Sequence, residues 1–277
     1  MKIKKVINNN VIISENHLGT EIIAMGSGIG FKKVVSDTVD PSLIEKTYVS
    51  NNQWSVNKLT DLLASIPIEH IQVANEIVSF AKVSLGKKLS DNLFLTLTDH
   101  INYAIERQQN NLAIKNALIW EIKRFYNHEY LIGKEALAII KQKLDIDLPD
   151  DEAGFIALHI LNAELNMNEV SKVSEMTEVI QKILNIVKYH FGNDIDEYSL
   201  NYERFITHLK FFVQRLFSGV QLDADDLTGF MFTLKEKYLN EYQCALKIQQ
   251  FIQKEFGRAL QEDELIYLTI HLKRIAN

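Results

Sequence analysis

The chain has 277 residues and a formal net charge of −6, and 47% of its residues are hydrophobic. This length exceeds that of one ordinary domain, and the hydrophobic content is sufficient for more than one core. Its single cysteine, Cys244, excludes an internal disulfide and any zinc or redox site built from cysteine pairs. The N-terminus lacks the apolar segment of a signal peptide, and no window approaches the roughly 20 apolar residues of a membrane helix. We therefore predict a cytoplasmic protein of two or three domains without membrane insertion.

The charge is unevenly distributed along the chain. Residues 1–55 hold six lysines against five acidic residues, whereas the remainder carries 24 basic and 31 acidic residues. We therefore expect the N-terminal part and the remainder to face different partners.

Residues 1–55 show the short β-branched segments and frequent turns of a small antiparallel sheet. About four strands fit in this length, and the candidate segments are KIKKVI, VIIS, TEIIAMG, FKKVV and EKTYVS. A sheet of this size buries little apolar surface on its own. A second copy is the expected cover, which predicts a homodimer.

Two motifs in this module contain residue types that suit RNA. The triplet Asn8, Asn9 and Asn10 is either a hairpin turn or a set of amides that read bases and sugars beside lysines. The run GSGIGF, from Gly26 to Phe31, has neither the spacing nor the following helix of a dinucleotide-binding loop. Its glycines permit close backbone approach, and its aromatic ring either stacks on an unpaired base or packs in the core.

From about residue 56 the apolar residues recur at helical spacing, and Pro67 and Pro149 stand where helices can begin. The pattern predicts ten helices, at 67–85, 91–108, 112–127, 132–144, 150–166, 173–191, 196–216, 225–240, 241–256 and 262–275. The predicted domains are an N-terminal module at 1–55, a linker at 56–66 and helical domains at 67–170 and 171–277.

The two sets of five helices align as an internal repeat. The segments FAKVSLG, TDHINYAIERQ, KRFYNHEY and DEAGFIALHI match IVKYHFG, ITHLKFFVQRL, KEKYLNEY and DELIYLTIHL in turn. Among the residue pairs that this alignment superposes are His100 with His208, Arg107 with Arg215, and His159 with His271. We therefore predict a multidomain fold, a small antiparallel all-β module followed by two homologous all-α five-helix bundles.

Four of the eight histidines recur in register across this repeat. A residue seven positions along a helix lies two turns away on nearly the same face. Glu152 therefore shares a helix face with His159, and Glu264 shares one with His271. By the same spacing, His100 shares a face with Arg107, and His208 shares one with Arg215. Each bundle thus offers two histidine sites of different character. The remaining histidines have no counterpart and are interpreted as structural: His17, His70, His128 and His190.

The residue types around the repeated histidines restrict their chemistry. The chain has no HExxH motif and no histidine pair at i, i+4, so we predict neither a metal nor another cofactor. It also lacks the glycine elbow of a serine hydrolase, which argues against an enzyme. The chemistry that remains for these histidines is acceptance of a phosphoryl group, because neutral imidazole is a competent nucleophile near pH 7. A phosphate of about −1.5 to −2 charge can separate an apolar helix interface or, opposite an arginine, hold it together.

The chain resembles, from end to end, the BglG-type transcriptional antiterminators, in the branch that controls the use of β-glucosides. The segments KIKKVINNNV, MGSGIGF and EKTYVS are similar to the co-antiterminator RNA-binding module of this family. The segments LTDHINYAIER, DEAGFIALHILNAEL, FITHLKFF and LIYLTIHL are similar to the histidine motifs of its two PTS-regulation domains, which answer to the sugar phosphotransferase system (PTS).

The resemblance implies that the N-terminal module dimerises as two packed sheets. It also implies that the module binds a hairpin in nascent mRNA, so that an overlapping terminator does not form and transcription continues. The matching positions that would line the RNA are Lys5, Asn8, Asn10, Gly26, Gly28 and Phe31. Ser27 stands where relatives can carry a basic residue, so one contact to the RNA differs at this position.

The resemblance further implies phosphorylation of four histidines: His100, His159, His208 and His271. The sugar-specific PTS transporter would inhibit through the first helical domain, and the general PTS phosphocarrier protein would activate through the second. Two alternatives that do not act on RNA are a histidine-phosphotransfer protein and a small-molecule sensor. A DNA-binding activator would need a helix-turn-helix where the first 55 residues predict strands, so we expect no DNA partner.

Overall fold

The structure, a computed structural model, describes residues 1–15, 20–44, 46–49, 65–167, 169–192, 195–219, 234 and 236–276. The chain divides into two compact units, one of residues 1–119 with 126–168 and the other of residues 120–125 with 169–277. Within the described part of the chain, no helix is long and apolar enough to cross a membrane.

The N-terminal module is one antiparallel sheet with its four strands in chain order. The strands are β1 (Ile3–Asn8), β2 (Val11–Glu15), β3 (Glu21–Met25) and β4 (Lys46–Val49). Strands β2 and β3 pair without interruption from Val11 opposite Met25 to Glu15 opposite Glu21, whereas β1 carries two irregularities in its pairing with β2. The prediction of a small antiparallel module is confirmed.

The segment FKKVV, residues 31–35, forms turns, so its assignment as a strand was wrong. Lys32 has a φ of 53° and Ser36 a φ of 79°, which lie outside the β region. The chain instead folds back along β1, where Ser36 N donates to Ile3 O at 2.8 Å and Ile3 N donates to Asp37 O at 2.9 Å. These bonds hold the segment at the edge of the sheet without a regular ladder.

The two middle strands of the sheet are buried on both faces within a single chain. One apolar cluster contains Ile3, Ile12, Ala24, Ile29 and Val39. Val11, Ile13 and Ile23, on the same two strands, are also at most 7% exposed. Strands β2 and β3 therefore have no exposed apolar face that a second copy would need to cover. The homodimer stays a prediction.

The region predicted as the first helical bundle contains five helices, one of which, at residues 119–125, groups almost entirely with the second compact unit. They are α1 (Ile68–Leu85), α2 (Asn92–Gln109), α3 (Ile119–Phe125), α4 (Asn127–Leu144) and α5 (Asp150–Glu164). Helices α1 and α5 begin directly after Pro67 and Pro149, as predicted, because the fixed φ of proline suits the start of a helix. Helix α3 begins later than predicted, since residues 112–116 have no regular structure and Asn116 N donates to Asp151 Oδ1 at 2.7 Å.

The second bundle repeats this arrangement. Its described helices are α6 (Val170–Phe191), α7 (Leu200–Ser218), α8 (Leu239–Phe256) and α9 (Glu262–Ile275). The helix predicted at 225–240 lies largely outside the described residues. Tyr126, before α4, has φ −128° and ψ 47°, and Tyr238, before α8, has φ −128° and ψ 48°. The internal repeat therefore extends to the backbone conformation, and the prediction of two homologous helical domains is confirmed.

The close approach of α4 and α5 depends on Gly133. A Cβ atom at this position would lie 2.2 Å from the carbonyl oxygen of Ala153 on α5. Only a hydrogen fits there, so the two helix backbones can pack directly against each other.

We expect Gly133→Ala to lower the free energy of unfolding of the first bundle by about 1–3 kcal/mol, because α4 must move away from α5. The loss should appear despite the better helix propensity of alanine, and a thermal denaturation scan would measure it as a lower Tm. Gln142→Ala, at an exposed position of the same helix, is the matched control. A Tm raised equally by both substitutions would contradict the close approach.

Candidate functional site

The first bundle brings its two repeated histidines together. His100 lies on α2 and His159 on α5, and their ring centroids are 4.8 Å apart with the ring planes tilted by 40°. The ring of Phe155 lies 5.9 Å from that of His100. The two histidines therefore share one site between two helices.

A buried carboxylate and an arginine complete this first site. The side chain of Glu152 is 3% exposed, and its Oε1 accepts a hydrogen bond from Arg107 Nη2 at 2.6 Å. Its Oε2 lies 3.1 Å from His100 Nε2, within ion-pair distance but without the alignment of a hydrogen bond. A buried carboxylate is stable only when it is paired, so Glu152 ties α5 to the face of α2 that carries both partners.

The second bundle contains the equivalent histidine pair. His208 on α7 and His271 on α9 have ring centroids 4.1 Å apart, with the planes tilted by 35°. Both line a cavity of about 280 Å³ together with Arg215 and Glu264. Exposed aromatic side chains, such as Tyr267, form part of its wall.

The carboxylate of the second site has different partners. Glu264 Oε2 accepts a hydrogen bond from the backbone N–H of Gln261 at 3.1 Å, and the Gln261 side chain caps the first turn of α9 in return. Glu264 Oε1 lies 3.3 Å from Arg258 Nη2. The pairing found between Arg107 and Glu152 in the first bundle is thus replaced by a helix cap and another arginine.

Both α5 and α9 present a histidine that stays neutral at pH 7. Loss of hydration, followed by the neighbouring His100, lowers the pKa of His159 from 6.5 to about 3. Loss of hydration, followed by His208 and Arg274, lowers the pKa of His271 to about 4. The Nδ1 atom of each ring is buried and has no hydrogen-bond partner among the described residues. Each ring therefore keeps a lone pair that can act as a nucleophile.

The expectation of two separate histidine sites in each bundle was wrong, because the structure places both histidines of a bundle in ring contact. The spacing of seven residues that separates His100 from Arg107 recurs between Glu152 and His159. Equal spacings on two packed helices allow both pairs to meet, and this signal could have identified the shared site. Arg258 was missed, because the equivalent residue of the first bundle is Ile146 and the repeat alignment contains no pair there.

Two of the histidines without a counterpart have structural contacts. His70 Nδ1 lies 2.9 Å from Asn102 Oδ1, and His190 Nε2 lies 3.0 Å from Asn240 Oδ1. Each contact joins two helices of one bundle. His128 is exposed on α4, and His17 lies outside the described residues. Within the described chain, no group of three or more His, Cys, Asp or Glu residues could hold a metal ion.

The asparagine and glycine motifs of the N-terminal module are joined to each other. Gly26 N donates to Asn10 O at 3.0 Å, and Gly28 N donates to Asn10 Oδ1 at 2.9 Å. Asn10 N in turn donates to Asn8 Oδ1 at 2.8 Å, which is the turn geometry expected of such a triplet. Gly30 packs so closely that a Cβ there would lie 2.4 Å from Asn8 O. The two motifs therefore form a single rigid surface, the asparagine–glycine surface of residues 8–10 and 26–31.

The side chains proposed for RNA differ in their exposure. Phe31 is 55% exposed, so the alternative that placed its ring in the core was wrong, and Lys32 Nζ lies 5.3 Å from the ring centroid. Lys5 is exposed on β1, and Ser27 is exposed on the asparagine–glycine surface. Asn8 and Asn10 are half-buried, and their side-chain oxygens accept the hydrogen bonds described above.

Comparison with known families defines the class of protein. Residues 1–56 match the CAT RNA binding domain, and residues 75–163 and 181–275 each match the PRD domain. The fold and these matches together describe an RNA-binding module followed by two PRD domains.

Known relatives extend the similarity over the whole chain. The transcription antiterminator LicT of Bacillus subtilis (strain 168) is 52% identical over 99% of both chains. The Beta-glucoside operon antiterminator of Dickeya chrysanthemi is 43% identical over 99% of this chain and 96% of its own. The crystal structure of GlcT CAT-PRDI covers 59% of this chain and 97% of its own, at 33% identity and a TM-score of 0.52. The chain belongs to the BglG-type family of transcription antiterminators.

The depressed pKa of His159 makes stability depend on pH in a defined direction. In the unfolded chain the imidazole takes up a proton near pH 6.5, but in the folded chain only near pH 3. The unfolded state therefore binds more protons between these values, so the contribution of His159 to stability is complete above pH 6.5 and decreases as the pH falls.

We expect His159→Gln to remove this dependence. Between pH 7.5 and pH 5 the free energy of unfolding of the wild type should fall by about 2 kcal/mol more than that of the variant. Calorimetric scans of both proteins at the two pH values would measure the difference in Tm. Parallel pH profiles would show that the ring of His159 titrates normally in the folded chain.

Proposed function

We propose that this chain is a homodimeric, cytoplasmic antiterminator that binds an mRNA hairpin and is regulated by PTS-dependent phosphorylation of His100, His159, His208 and His271. One observation carries the regulatory part of the proposal: both bundles place two histidines, an arginine and a carboxylate together. A pair of structural histidines would need no such repeated combination of nucleophile and opposite charges.

The N-terminal module supplies the RNA-binding part of the proposal. Phe31 offers an exposed ring for an unpaired base, and Lys5 and Lys32 offer positive charge. The module has nearly balanced charge, so selectivity is expected to come from shape and from splayed bases, with a modest salt dependence. The name of the Dickeya chrysanthemi relative supports a β-glucoside operon as the target.

The two bundles supply the regulation. In this proposal the sugar-specific transporter phosphorylates the first bundle when no substrate arrives, and the phosphocarrier protein phosphorylates the second. A phosphate adds about −1.5 to −2 charge at a contact between two helices, where it is desolvated and therefore strongly felt. A change in the packing of the bundles then reaches the RNA-binding module by altering the dimer.

Incubation with a reconstituted PTS phosphorylation cascade should place acid-labile phosphate on the four repeated histidines. Mass spectrometry under alkaline conditions would map it. His70 and His190 are internal controls, because they lie on helices of the same two bundles but outside the repeated sites, each with one ring nitrogen against an asparagine oxygen. Phosphate on these two histidines to the same extent would show that the repeated sites have no special reactivity.

Phe31→Ala should weaken binding of the antiterminator hairpin by roughly 5- to 150-fold, since stacking of a base on an aromatic ring contributes about 1–3 kcal/mol. The fold should persist, because the ring is exposed. A gel-shift titration with the full chain would measure the affinity, with Val35→Ala, another exposed apolar position, as the matched control. A wild-type chain that binds no hairpin would favour a phosphotransfer or sensor protein that does not act on RNA.

A further inference from the structure

We propose that Arg215 is the phosphate-binding residue of the second histidine site, whereas its repeat partner Arg107 is withheld from this role by Glu152. The inference rests on the proposed phosphorylation and adds a residue-level reason why the two bundles respond to it differently. It comes from a comparison of how the same residues are paired in each site.

In the first site the arginine is already occupied. Arg107 Nη2 donates to Glu152 Oε1 at 2.6 Å, and the side chains of both residues are at most 11% exposed. A phosphate would have to compete with a carboxylate that is buried and already hydrogen-bonded to this arginine. The same carboxylate lies 3.1 Å from His100 Nε2, so a phosphate on this ring meets negative charge first.

In the second site the equivalent arginine has no such partner. Among the described residues, no carboxylate lies within 4.0 Å of Arg215. Arg215 nevertheless lines the cavity that contains His208, Glu264 and His271. An arginine beside a histidine pair and a cavity of about 280 Å³ is placed to accept a tetrahedral anion.

Two sequence differences explain the change in pairing. Glu264 is held by the backbone N–H of Gln261 and by Arg258. The position equivalent to Gln261 in the first bundle is Pro149, which has no backbone N–H, and the position equivalent to Arg258 is Ile146. Glu152 thus lacks both partners and depends on the arginine of α2, while Glu264 leaves the arginine of α7 unengaged.

The charge of the two sites follows from these pairings. In the first site Arg107 and Glu152 balance each other. Among the described residues of the second site, Arg215 and Arg258 stand against Glu264, and Arg274 adds positive potential at His271. A phosphate therefore leaves the first site with an uncompensated negative charge and meets an excess positive charge in the second. Phosphorylation should loosen the contact between α2 and α5 but tighten the contact between α7 and α9.

Hydrogen–deuterium exchange of the full chain can measure the contact between α2 and α5 separately from the contact between α7 and α9. The chain is phosphorylated chemically with phosphoramidate, so that the result does not depend on any PTS protein, and occupancy is measured by mass spectrometry. We expect slower exchange in α7 and α9 of the phosphorylated wild type. Arg215→Gln, which removes the charge, should abolish the slowing, and Arg215→Lys should restore part of it. In the first bundle phosphorylation should speed exchange, and Glu152→Gln should abolish this increase.

Equal slowing in the wild type and in Arg215→Gln would overturn the inference, as would an absence of slowing in the phosphorylated wild type. If the second pair takes no phosphate from the reagent, His271→Asp with and without Arg215→Gln provides the same comparison of exchange in α7 and α9. Identical exchange in those two proteins also rejects the role of Arg215. Failure of the PTS cascade alone to phosphorylate the chain would refute the proposed regulation and leave this result standing.

Discussion

The burial of one carboxylate beside two histidine rings is the constraint on which each helical domain depends. Glu152 is 3% exposed and Glu264 is also 3% exposed at the side chain, so neither can be left without a positive or hydrogen-bonding partner. The partners of Glu152 fix the position of α5 relative to α2, and those of Glu264 fix the first turn of α9. The histidine pair of the first bundle is in ring contact because α5 is held against α2 at this distance, whereas Glu264 pairs within the turn that leads into α9.

The burial of these helix contacts also explains why His159 and His271 are neutral at pH 7. Loss of hydration disfavours the charged form of each of these two rings, and the second ring of the pair, 4.1–4.8 Å away, adds to this effect. The depressed pKa values of His159 and His271 are the consequence, and a neutral ring is the form that can attack a phosphoryl donor. The same packing that stabilises the bundle therefore keeps these rings in the form that the proposed phosphorylation requires.

Sequence periodicity could predict the elements, the repeat and the residues of the site, but not their pairings. Helix starts at Pro67 and Pro149 follow from local stereochemistry, and the repeat follows from residue identity. The strand expected at 31–35 failed because Lys32 adopts a positive φ, which β-branched composition does not reveal. The contact of His100 with His159 depends on the relative placement of two helices that are distant in sequence, and only the equal seven-residue spacings on α2 and α5 indicate it.

In our proposal, the exchange of ion-pair partners between the repeats gives the two bundles opposite responses to the same phosphorylation. Both bundles keep the histidines, the arginine and the carboxylate, so the proposed modification applies to both. The loss of a backbone donor at Pro149 and the absence of an arginine at Ile146 leave Glu152 to the arginine of α2. The electrostatic balance around the rings therefore differs, and under the proposed phosphorylation a phosphate of about −1.5 to −2 charge would open the contact in the first bundle and close the contact in the second.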